Sequence, residues 1–121
     1  MKLRTLILPV MLLACIYACN AQSSHSVTLT WTQSTSPGVD GNKVYRGVTT
    51  GGPYVVVFTS PTAILTYTDF TVVASATYYY VVTATCSLCV PSESAFSNEA
   101  KAVIPANPQP VPPATLTITV K

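Results

Sequence analysis

The sequence predicts an all-β fold, an antiparallel sandwich or barrel of short strands. Apolar and polar residues alternate with period two in short runs. Turn-forming clusters separate those runs, and ten prolines and five glycines punctuate the chain. No stretch of useful length carries a helical period. With 121 residues, the chain has room for one domain of ordinary size. Only 8% of residues are charged, yet the chain is rich in Val, Thr and Tyr, which suit half-buried pleated surfaces, so the low charge does not imply disorder.

The N-terminal segment reads as a targeting signal, residues 1–21. Lys2 and Arg4 precede an apolar run from Leu6 to Leu13, and small residues follow at Ala14, Ala18 and Ala21. The run falls short of the roughly 20 apolar residues of a membrane span. Two processing routes are open. A signal peptidase would cut after Ala21, or Leu12-Leu13-Ala14-Cys15 would serve as a lipobox, with Cys15 lipidated. A membrane is a partner only on the second route. Either way the expected location is outside the cell or on its surface. Beyond the signal, Lys43, Arg46, Lys101 and Lys121 balance Asp40, Asp69, Glu93 and Glu99. The formal charge of +2 therefore resides in the signal. No basic stripe remains for phosphates, which argues against nucleic acid as a partner.

The remaining strands follow in order. Val27, Leu29 and Trp31 alternate with Thr28, Thr30 and Thr32, giving one buried face with Trp31 in the core. Ser34 to Gly38 is a turn cluster, and Val39 to Asn42, with Asp40-Gly41, extends it. Lys43 to Arg46 is the second strand, Tyr54 to Phe58 the third and Leu65 to Asp69 the fourth. The glycines of Thr49 to Pro53 can adopt positive φ in a tight turn. Thr77 to Thr85 is the longest strand, with Tyr78, Tyr80, Val82 and Ala84 on one face. Asn98 to Ile104 completes the set.

From His25 to Pro105 the chain resembles the fibronectin type III repeats of secreted bacterial proteins. The resemblance rests on Val27-Thr28-Leu29-Thr30-Trp31, Lys43-Val44-Tyr45-Arg46-Gly47, Gly51-Gly52-Pro53-Tyr54, Tyr67-Thr68-Asp69, Thr77 to Val82, and Glu93 to Glu99. It implies an immunoglobulin-like sandwich whose core includes Trp31, Tyr45, Tyr78, Tyr80 and Val82. Tyr78 falls at the position of the family's tyrosine corner, its hydroxyl bonded to backbone across the corner. A family repeat opens with a strand before the Trp strand, and residues 22–24 are too few to make one. A proline-rich linker, residues 106–113, instead leads to a tail, residues 114–121. There Leu116, Ile118 and Val120 alternate with threonines. That tail is a candidate for the missing first strand, in its own domain or a neighbour's.

Cys86 and Cys89 lie at the turn expected between the last two strands. Redox use of a Cys-x-x-Cys pair needs a helix N-terminus or a positive neighbour to lower a thiol pKa, and a hairpin tip supplies neither. Zinc normally takes four ligands, whereas the chain after the signal offers only these thiols and His25. A structural disulfide is the expected state. His25 starts a strand beside a chain end and reads as idle. Asp40 and Asp69 read as turn residues that bond their own backbone. No nucleophile triad or carboxylate pair stands out, so a non-catalytic protein without cofactor or metal is expected. The functional expectation is a module binding an extracellular protein or surface polymer. One alternative is a subunit that self-associates head-to-tail by donating its last strand. Another is an accessory domain of an extracellular carbohydrate-active system.

Overall fold

The computed structural model describes residues 25–119. The expected signal segment with Cys15, and Val120 at the tail, lie outside the described residues. Six strands form: β1 (Val27–Thr30), β2 (Gly41–Gly47), β3 (Val55–Pro61), β4 (Thr66–Asp69), β5 (Thr77–Thr85) and β6 (Ala100–Val103). They build two antiparallel sheets, β1-β4 and β3-β2-β5-β6. The period-two alternation sets the faces. β1 turns Val27 and Leu29 inward onto the core, and Thr28 outward, where its hydroxyl meets that of Thr68 at 3.0 Å.

In the large sheet β2 runs beside β5 from Gly41–Thr85 to Gly47–Tyr79 without a break. Val44, paired with Val82, and Tyr80, paired with Arg46, therefore share the inner face. The buried core is Val44, Val72, Tyr78, Tyr80 and Ile104. Trp31 and Val82 pack half-buried at its margin. Tyr45 departs from expectation. It follows Val44 along the pleat, so it points to the outer face of the sheet and stands outside the core cluster.

Gly41 and Asn42 also depart, joining β2 instead of a turn. A Cβ on Gly41 would sit 2.7 Å from both Ser60 O and Thr85 Oγ1. The glycine thus serves the close approach of β3 and β5, not a turn. At the corner before β5, Ser75 takes φ 63° and the Val73 amide donates to the Tyr78 hydroxyl at 3.3 Å. This is the corner bond expected of Tyr78.

One buried carboxylate ties the two sheets together. Asp69, at the end of β4, is fully buried. Its Oδ2 accepts from Arg46 Nη1 at 2.7 Å and from the Tyr80 hydroxyl at 2.9 Å. Its Oδ1 accepts from the Thr71 amide at 2.9 Å and the Thr71 hydroxyl at 2.7 Å. Burial works to raise the carboxyl's pKa, but the bonds from Thr71, Arg46 and Tyr80 outweigh it and hold the value below the ordinary one. The Arg46 guanidinium also lies 4.9 Å from the centroid of the Tyr78 ring. Phe58 of β3 stacks on Tyr67 of β4, with centroids 4.6 Å apart. β4 therefore covers the β2-β3 side of the large sheet.

Removing the Asp69 carboxylate would strand the Arg46 charge and the Tyr80 hydroxyl. Asp69→Ala should cost about 3–5 kcal/mol, read as a lowered denaturation midpoint at pH 7. Tyr78→Phe loses only the corner bond and should cost about 1 kcal/mol.

Candidate binding surface

Strand pairing and the Arg46–Asp69 contact place the starts of β1 and β5 with the ends of β2, β4 and β6 at one pole. The loop between β1 and β2 and the loop between β5 and β6 meet at the other. At this second pole Cys86 and Cys89 form a disulfide. The Cys89 amide donates to Cys86 O at 3.2 Å, and the Cys86 amide to Ser92 O at 2.9 Å. The β1-β2 loop fits beneath the sulfurs. Gly38 has φ +79°, and a Cβ there would lie 3.2 Å from Cys86 Sγ.

Asp40 pins the same loop. Its Oδ2 accepts from the Ser87 amide at 2.7 Å, and its own amide donates to Thr85 O at 2.9 Å. The bonds from Ser87 hold the Asp40 carboxyl below its ordinary pKa. Leu88 and Val90, by contrast, are 96% and 100% exposed. Beside them a cleft of about 220 Å³ opens between the loops, lined by Ser36, Pro37, Val39, Cys86, Cys89 and Pro91.

The chain from Glu93 to Glu99 then folds along the large sheet. Ser94 and Ser97 continue the pairing of β5 beyond β6. Their amides donate to Ala84 O and Val82 O, each at 2.9 Å. Their hydroxyls accept from the amides of those same residues, also at 2.9 Å. Both groups of each β5 residue are thereby satisfied without a regular strand. Glu93 turns onto the outer face. It accepts from Lys43 Nζ at 2.8 Å, from Thr83 Oγ1 at 2.7 Å and from the Tyr45 hydroxyl. The bond from Lys43, with those from Tyr45 and Thr83, pushes the Glu93 carboxyl down to about 2. Glu99 closes the other end, accepting from the Gly51 amide, the Thr50 hydroxyl and the Tyr54 hydroxyl. Between them Phe96 meets Tyr45 and Tyr54 edge-on, at 73° and 71°.

The residues singled out from sequence thus fall in different places. Cys86 and Cys89 lie at the loop pole. Tyr78 and Tyr80 are interior, and Tyr79 lies on the opposite face. Leu116 and Ile118 stand on an extended tail, 88% and 79% exposed, that forms no strand among the described residues. Trp31 lines a groove on the β6 side of β1. The Glu93 and Glu99 anchors escaped the sequence reading, because all their partners but Thr83 lie more than forty residues away along the chain.

No family model matches the sequence, and no curated protein does. Solved structures do. A Fn3-like protein from Clostridium thermocellum is 33% identical, with 72% of this chain and 84% of that one covered and a TM-score of 0.56. The sixth fibronectin type III domain of human fibronectin type III domain containing protein 3 is 23% identical, covering 74% and 80%, with a TM-score of 0.58. A β-1,2-glucanase from Parabacteroides distasonis matches at 22% identity and a TM-score of 0.58; the match takes 70% of this chain but only 12% of the enzyme. The chain belongs to the fibronectin type III family.

Acid titration should expose the Glu93 anchor. Its pKa is lower in the folded chain than in the unfolded one, so its stabilisation is present above the ordinary carboxylate pKa. That contribution is lost as pH falls through about 2. Allowing for partial exposure, it amounts to roughly 1–2 kcal/mol. Melting temperatures from pH 7 to 2 should fall less steeply for Glu93→Gln than for the wild type, from a lower starting value. At the loop pole, thiol labelling without reductant should modify neither Cys86 nor Cys89. A Cys86→Ser/Cys89→Ser variant should fold with a loss of roughly 1–2 kcal/mol, because the bridge closes so short a loop.

Proposed function

We propose that the chain is a secreted, non-catalytic interaction module whose β5-β6 loop, with the β1-β2 loop beneath it, grips an extracellular protein partner. One observation carries this reading: Leu88 and Val90 stand fully exposed on a loop held from below by a disulfide and by Asp40. An apolar anchor on a rigid loop loses little freedom on binding, so less of the energy gained by burying it is spent on ordering. The cleft beside them gives a partner side chain somewhere to insert. The disulfide supports an oxidising compartment, in line with the secretory signal expected at residues 1–21. The glucanase that carries a similar fold favours a second reading, an accessory domain in an extracellular carbohydrate-active system.

The two readings separate on a panel of immobilised extracellular proteins and surface polysaccharides. The first expects saturable binding to a protein, weakened at least tenfold by Leu88→Asp or Val90→Asp with the melting temperature unchanged. Binding to a glycan alone, indifferent to both substitutions, would replace it with the second.

A further inference from the structure

The bare edge of β1 offers a different surface, independent of the loop pole. β1 pairs only with β4, and among the described residues no strand lies along its other edge. Because β4 covers the β2-β3 side, that edge faces β6. A groove of about 400 Å³ runs there, lined by Leu29, Trp31, Tyr80, Val82, Asn98 and Ala100. Its floor is core, and its upper lip is the β1 edge that carries no strand among the described residues, a template for strand addition. Trp31 adds a specific signal. It lines the groove beside Leu29, so a chain seated there would lie against its indole.

We propose that this groove accepts the C-terminal tail of a second copy of the chain, with Leu116 and Ile118 turned onto the core and the intervening threonines outward. The tail has the required period-two pattern, and both apolar residues are almost wholly exposed. The linker geometry selects a second copy over the tail's own groove. His25 Nε2 lies 3.2 Å from Asn107 Oδ1, so the linker departs beside the start of β1. Run straight up that edge, the chain would set the linker against β1, and not the segment that carries Leu116 and Ile118. Thr115 lies eight residues past Asn107, roughly 25 Å along an extended proline-rich chain. β1 spans only roughly 13 Å. The pairing-competent segment therefore overshoots its own β1 and is free to reach another. A tail given onward in this way is a head-to-tail contact, which builds rings or filaments.

Light scattering on the full chain over a wide concentration range tests this, alongside a full-length Leu116→Asp/Ile118→Asp variant. The proposal expects assemblies that grow with concentration for the native chain. The variant should be a monomer of unchanged melting temperature. A synthetic peptide of residues 114–121, added to that variant, should bind saturably and shift the fluorescence of Trp31, the chain's single tryptophan, to shorter wavelength. A scrambled peptide should not. A native chain that stays monomeric while the variant binds the peptide would place the tail in its own groove and overturn the proposal. Peptide binding that appears only once residues 1–24 are removed would make those residues the occupant, with the same consequence. A variant that assembles like the native chain would overturn it as well.

Discussion

The sandwich depends on a single buried carboxylate. The β1-β4 sheet has two strands of four residues each, too little to stand alone in water. It is held by what its inner face meets. Asp69 sits where that face meets the large sheet, taking bonds from Arg46 on β2, Tyr80 on β5 and Thr71 just beyond its own strand. Every oxygen of the carboxylate has two partners. Such an arrangement need not exceed an apolar core in energy, since burying both charges is costly. Its effect is geometric: it admits one register of β4 over β2 and β5, and thereby places β1.

With β4 fixed over the β2-β3 side, β1 leaves its other edge beside β6. Two of the strand edges are treated differently. Along β5, above the short β6, Ser94 and Ser97 satisfy the backbone with amide and hydroxyl together. Glu93 and Glu99 then fasten that segment across the outer face, with Phe96 set between Tyr45 and Tyr54. Along β1 nothing comparable is seen among the described residues. The contrast marks the first edge as closed and the second as a surface for a strand.

Much of the fold was legible because period-two alternation is a local signal. Val27 and Leu29, or Tyr78 and Tyr80, declare their face by spacing alone, and β5 has the bounds its pattern predicts. Tyr45 was placed in the core by resemblance, whereas its neighbour Val44 takes the inner position and the pleat turns Tyr45 outward. Gly41 suggested a turn beside Asp40, yet its role is close packing between β3 and β5, which no local pattern reveals. Asp69 was legible as a residue that bonds its own backbone at Thr71. Its pairing with Arg46, twenty-three residues earlier, was not, since sequence spacing does not show which strands will cross. At the candidate surface the disulfide was legible from spacing and compartment. The anchoring of that loop by Asp40 and the exposure of Leu88 and Val90 needed the fold.

If Asp69 makes the two sheets one cooperative unit, the small sheet cannot open by itself. Native-state amide hydrogen exchange measures this directly. The amides that pair β1 with β4, around Leu29 and Tyr67, should exchange with the same opening free energy as those pairing β2 with β5, and both should fall together in Asp69→Asn. Exchange in β1-β4 that is much faster than in the large sheet, and indifferent to Asp69→Asn, would contradict the account.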